Sequence, residues 1–426
     1  MEMVILEKLI RQAGKVFATF PDERTGKVKY SMADIGLSGL APFVMQSESF
    51  LQHQRQLESA QGKSNCQTLF GMKGIPTEER IRQVLDEIPA SALQPCFDAV
   101  LAALQARNGL SVFQRLDGRI FMALDGTEHF CSEKIMCDQC LTRKLANGRI
   151  EYYHAMLAAT IVAPGHNMAF PVMPEPISRQ DGAEKQDCER NAAKRWFATH
   201  GERFRGLRPV YLGDALFACQ PICEAVLEAG GDFLFTAKPS SNITLYDFMS
   251  GATPEEMSLT RKVKGKKRIY RYRWFVGAPL RDTRDALTVN WLNLTIFDTE
   301  GKTTYSGDFL TSLDVNAENV AEIADCARAR WKIENEGFNV LKNNGYNLEH
   351  NFGHGKKHLA TMFAAMNMLA FAMHTLCDAV ESLWIKARNA AGTRKRFFDT
   401  FRILTAYLVF PDWWALMTTI ASGRPP

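Results

Sequence analysis

Three acidic residues sit where a carboxylate could hold a divalent cation. Asp125 follows the apolar run Ile120-Phe-Met-Ala-Leu124, Asp214 follows Val210-Tyr-Leu-Gly213, and Glu334 stands in Arg330-Trp-Lys-Ile-Glu334-Asn-Glu336. Short apolar runs read as buried strands, which puts the first two acids at strand ends. On a helix at about 100° per residue, Ala327, Trp331, Phe338 and Leu341 fall within about 60° of Glu334. Glu334 is therefore expected to point from the middle of an apolar stripe, whereas Glu336, about 200° round, faces away. Three carboxylates brought together repel, and a pair about 4 Å apart costs roughly 4 kcal/mol at an effective dielectric of 20. Such a cluster persists if it is protonated or if divalent cations fill it. Magnesium takes oxygen ligands and keeps positions open for water and phosphate, and manganese suits the same donors. Two such ions about 4 Å apart clamp the attacking and leaving oxygens of an in-line displacement. The chemistry expected is phosphodiester cleavage or transfer on nucleic acid. Arg330, one helical turn before Glu334, is available to a phosphate or to the carboxylate itself.

The elements that would position these acids follow from the pattern along the chain. Residues 1–115 read as helical, with polar breaks at 61–65 and 74–76. Residues 76–88, with a proline start, early acids and apolar spacing near 3.6, form the clearest helix there, and this region could hold a helix-turn-helix reader of DNA. From about 116 the pattern turns to strands, at 119–124, 151–162 and 168–173. A helix at 187–200, a strand at 210–212, a helix at 221–229 and a strand at 233–236 complete a β-β-β-α-β-α-β run. That order requires a mixed sheet with one antiparallel hairpin. Between about 240 and 312 strand alternation dominates, as in a β-rich insertion. A long helix at 316–342 then carries Glu334, more helix follows from 356, and residues 381–426 form a helical C-terminal region.

The 426 residues exceed one typical domain, and the net charge of +4 is only weakly basic. Its distribution says more. Residues 261–273 interleave Lys and Arg with aromatics, and Tyr270, Tyr272 and Trp274 alternate with Arg271 and Arg273. This strand could track a DNA backbone with Lys266, Lys267, Arg271 and Arg273 and stack on exposed bases. His350 and His354, in a Gly-rich turn, could also approach phosphate. The acidic N-terminal segment does not read as a secretion signal, and ten scattered cysteines suit a reducing cytoplasm. The apolar stretch 359–376 contains Thr361, Asn367, His374 and Thr375 and reads as a core helix rather than a membrane span. Cys137 and Cys140 have zinc-knuckle spacing, with Cys131, His129 and His154 as candidate partners for a structural zinc ion. No G-x-x-x-x-G-K-[ST] loop occurs, so nucleotide hydrolysis is not indicated.

Taken together, these residues resemble the DDE transposases of bacterial insertion sequences, in particular the group marked by a Tyr-Arg-Glu-Lys signature around the last acid. The resemblance spans about 115–380. It is most specific in Arg328-Ala-Arg-Trp-Lys-Ile-Glu334-Asn-Glu-Gly-Phe-Asn-Val-Leu-Lys342 and in Leu348-Glu-His-Asn-Phe-Gly-His-Gly355, with further likeness at 180–189 and 212–216. It implies Asp125, Asp214 and Glu334 as catalytic, metal-binding residues, with Arg330 and Lys342 as the signature arginine and lysine that meet DNA. The signature tyrosine would fall on Ala327, and the lysine comes one residue late, its matching position being Leu341. The fold implied is an RNase H-like α/β catalytic core at 116–380, interrupted by the β-rich insertion. The activity implied is cleavage at element ends and strand transfer into target DNA, by a homodimer in a synaptic complex with double-stranded DNA. A bacterial, nucleoid-associated location goes with it. Two other readings stay open: a catalytically inactive DNA-binding regulator descended from such an enzyme, and a non-transposing nuclease of the same fold.

Overall fold

The structure, a computed structural model, describes residues 3–179 and 187–424. Part of the 180–189 segment that carries the family likeness therefore lies outside the described residues. Among the described residues eleven strands occur in chain order: β1 Ile120–Ser132, β2 Leu141–Lys144, β3 Ile150–Val162, β4 Phe170–Pro171, β5 Glu175–Ile177, β6 Pro209–Gly213, β7 Asp232–Ala237, β8 Glu255–Val263, β9 Lys266–Pro279, β10 Thr288–Phe297 and β11 Thr303–Thr311. They form one sheet in the order β2-β3-β1-β6-β7-β11-β10-β9-β8, with β4 and β5 also paired to β3. β1, β6 and β7 are mutually parallel, and every other pairing is antiparallel.

The parallel centre is covered on both faces, which explains its unbroken apolar runs. Ile120 to Leu124 of β1 and all of β6 are buried. The helix Glu189–His200 lies against β1, β3 and β5, and the helix Val320–Arg328 against β7, β9 and β10. The first of these is pinned by Arg195, which pairs with Glu175 and Asp187 at 2.8 and 2.7 Å, and by Trp196 Nε1 donating to Met173 O at 2.8 Å. Strands β8–β11 do not form a lobe apart. β11 pairs with β7, so the segment expected as an insertion extends the central sheet.

Helices from both ends of the chain share one layer. Asn65 Nδ2 donates to the carbonyls of Thr405 and Leu408, and Trp413 Nε1 to Leu69 O. Between these termini runs the helix Leu359–Val380, against the helices Met32–Val44 and Gln94–Ala106. It is long and apolar enough to cross a membrane, yet 94% of its apolar window is buried inside the protein. It is capped from afar: Asp86 accepts from the backbone N–H groups of Lys356, Lys357, His358 and Leu359 at 2.8–3.0 Å. Burial opposes ionisation of Asp86, but these four donors hold its carboxyl below the usual range. The helix expected at 76–88 is shorter, Glu78–Leu85, and buries Ile81, Val84 and Leu85. Its outward positions mix Glu79 and Arg80.

Candidate active site

β1 and β6 run parallel with Ala123 opposite Leu212. Counting two residues on along each strand brings Asp125 level with Asp214, where neighbouring strands lie about 4.8 Å apart. The pairing explains why both acids follow apolar runs. Asp214 stands just past the end of β6, where its Oδ1 accepts from Leu216 N at 2.8 Å and closes a turn. Asp125 is not at a strand end, as the sequence pattern suggested. β1 continues to Ser132 because β3 pairs with it along that whole length. What ends at Ala123 is only the pairing with β6.

Glu334 reaches the same place from a distorted helix. The single helix expected at 316–342 is broken into an α-helix at Val320–Arg328, a 3-10 turn at Ala329–Trp331, a π-helix at Ile333–Phe338 and an α-helix at Asn339–Asn343. A 3-10 turn advances by about 120° per residue and a π-turn by less than an α-helix, so a projection at 100° fails across these turns. Trp331, expected inward, is 53% exposed, while Ala327 and Leu341 are buried as projected. Arg330 is 11% exposed and lies between two of the acids, with Nη1 at 3.1 Å from Glu334 Oε1 and 3.6 Å from Asp125 Oδ2. It is thus engaged with carboxylates rather than held out to solvent.

A fourth acid completes the group. Glu189 opens the helix Glu189–His200, and its carboxylate lies over Gly126: a Cβ placed there would be 2.1 Å from Glu189 Oε1. Burial and then Asp214 raise the Glu189 carboxyl above its ordinary value. From sequence it passes for a first-turn acid at a helix N-terminus. The one signal that could have raised it was its place at the end of the 180–189 stretch. Burial pushes the Asp125 carboxyl up to about 7; Arg330 opposes that rise, and Glu189, Glu334 and Asp214 add to it. The four acids share one electrostatic environment with a cationic deficit.

The residues expected to touch DNA are placed unevenly. Lys266 and Lys267 are exposed at the start of β9, beside the edge strand β8. Tyr270, Tyr272 and Trp274 are buried on the face opposite Arg271 and Arg273, so they cannot stack on bases. Arg261 caps Tyr270 at 4.9 Å and pairs with Asp325 at 2.6 Å, and Arg271 packs over Phe297 at 4.9 Å. Lys342 is paired with Glu349 at 2.7 Å. It lines a cleft of about 710 Å³ with His350, Arg394, Lys395 and Arg402.

A second cluster lies beyond the acids on the same hairpin. Cys137, Cys140, His154 and His354 bring their ligand atoms within 4.8 Å of one another. Cys131 is exposed in β1 and takes no part, and His129 stacks on His154 at 5.8 Å without joining the four. The fourth member is His354, read from sequence as a phosphate contact and here buried against the thiols.

No protein-family model matches the chain, and no curated protein does. Among solved structures, the chain is similar to one described as a cryo-EM structure of a piggyBac transposase synaptic complex with hairpin DNA. The identity is 11%, the TM-score 0.42, and the alignment covers 99% of this chain and 83% of that one.

Proposed function

We propose that the chain is a metal-dependent DNA transposase with an RNase H-like core, in which Asp125, Asp214 and Glu334 are the catalytic carboxylates and Glu189 stands beside them. The observation that carries this reading is the convergence of acids from three separate elements on the end of a parallel strand pair. A mixed sheet whose parallel strands β1, β6 and β7 are flanked on both sides by antiparallel ones accords with it. So does the resemblance around Glu334 to transposases of insertion sequences. The donor set fits magnesium or manganese: hard oxygens on rigid elements, half-buried, with one carboxyl raised to about 7 by burial and like charge. Such ions, held by Asp125, Asp214 and Glu334, would stabilise the charge on the attacking and leaving oxygens of a phosphodiester.

The chain's own groups account for the rest. Arg330 compensates Asp125 and Glu334 in the metal-free protein. With cations on the carboxylates, its guanidinium becomes available to the non-bridging oxygens of a bound phosphate. Gly126 keeps the space over β1 in which the Glu189 carboxylate lies. Lys266 and Lys267 supply positive charge for the DNA backbone at the sheet edge.

The test is a nicking and joining assay with magnesium or manganese on DNA carrying the sequences that flank the reading frame. Cleavage at those ends followed by joining to a target plasmid, both lost in D214N, is the expected result. Cleavage without joining would make the protein a nuclease. DNA binding with neither reaction would make it a regulator.

A further inference from the structure

We infer that Cys137, Cys140, His154 and His354 form a structural zinc site that clamps the β1–β3 hairpin to the segment following the Glu334 helix. The donor spacing is that of a tetrahedron already closed around an ion. Zinc holds sulfur at about 2.3 Å and nitrogen at about 2.0–2.1 Å, so tetrahedral edges are about 3.8 Å for S–S, about 3.5 Å for S–N and about 3.3 Å for N–N. The corresponding edges here are 3.7 Å for Cys137 Sγ–Cys140 Sγ, 3.4 Å for each sulfur to His154 Nε2, 3.5 Å for Cys140 Sγ–His354 Nε2 and 3.2 Å for His154 Nε2–His354 Nε2.

The surroundings prepare these donors. His354 Nδ1 donates to Gly355 O at 2.9 Å, which leaves the lone pair on Nε2, facing the other three ligands. Cys137 N donates to Cys140 Sγ at 3.4 Å, a contact that favours a thiolate. The loop carrying His354 is fixed from behind. Gly355 has φ +69°, and a Cβ there would meet Asp86 Oδ1 at 2.2 Å, the same carboxylate that caps Lys356 to Leu359. Cys140, His154 and His354 are buried, which leaves no open position for a substrate and marks the site as structural. Two sulfurs and two imidazoles select zinc over the hard cations that suit the acids.

Protein purified without chelator from zinc-supplemented cells should carry about one zinc per chain. That zinc should remain in a D125N/D214N/E334Q variant, which separates this ion from any bound at the acids. C131S and H129A should keep it, and H354A and C140S should lose it. Cobalt exchanged into the wild type should show the visible bands of a tetrahedral, thiolate-bound ion, and H354A should not. Should H354A prove insoluble, H354C restores four donors and is expected to be soluble with its zinc. Wild-type protein without zinc, H354A retaining a full equivalent, or H354C soluble but metal-free would each overturn the site.

Discussion

The acid cluster and the cysteine–histidine cluster each draw one member from the β1–β3 pair, Asp125 and His154, but are built on opposite principles. Around Cys140 four donors already stand near the corners of a tetrahedron, and an ion there would only replace their mutual contacts. Around Asp125 the donors do not close on themselves. Arg330 bridges two of them, Asp125 and Glu334, and burial with like charge drives one carboxyl up to about 7. A closed set of soft donors stores its binding energy as fold stability. An open set of hard donors costs stability until cation and substrate arrive, which is the cost chemistry imposes on a site. On the readings proposed above, ligand chemistry rather than distance would sort the metals between the two clusters.

The sharpest way to break this comparison is to neutralise the acids. D214N and E334Q should each lower DNA cleavage by on the order of 10³-fold or more, whereas E336Q stays within about tenfold of wild type. DNA binding at fixed salt should survive all three. An inactive E336Q beside an active E334Q, measured by plasmid nicking, would reverse the assignment on the π-helix. Next in size is the closed cluster, where stripping the zinc should lower the thermal midpoint and adding zinc back should restore it. Calorimetry showing no change on chelation would mean that the cluster carries no structural load.

The same logic with opposite sign applies to Asp125. Its folded-state value, about 7, lies above its ordinary 3.8, so its contribution is present at low pH and is lost as pH rises through about 7. D125N should therefore be more stable than wild type in metal-free buffer at pH 8, by on the order of 4 kcal/mol at most. The gap should close toward pH 4. Urea unfolding at the two pH values checks the sign, and wild type more stable than D125N at pH 8 would contradict it. The smallest effect lies far from both clusters. K266Q/K267Q should leave stability unchanged but reduce the slope of log K for DNA against log salt by about 1.8, at about 0.9 per phosphate contact. An unchanged slope would return these lysines to the role of charges that protect the sheet edge.

How much of this could be read from the residues follows from where the signal lies. The runs before Asp125 and Asp214 are legible because strands covered on both faces must be apolar throughout. The strand limits were less so: β1 runs on past Asp125 as one side of a hairpin, where burial alternates and the run dissolves. Trp331 was misplaced because the 3-10 turn that it closes has no compositional mark, and a projection at fixed angle cannot detect it. Glu189 and His354 could not be assigned to their clusters from the residues alone, for a different reason. Each joins its cluster only through tertiary packing; His354 stands 214 residues from Cys140. A C-x-x-C pair shows half of a tetrahedron, and the other half is a matter of topology.

The carboxylate of Asp86 also sets a timetable. It completes the start of the helix Leu359–Val380 from about 270 residues upstream. On a ribosome adding about 5–20 residues per second, the N-terminal helices wait roughly 15–50 s before the helix that buries their apolar sides emerges. The first hundred residues are thus finished long before they can fold to completion. The nascent chain must be shielded through that interval, and its yield should depend on translation speed and chaperone supply more than on the stability of the mature protein.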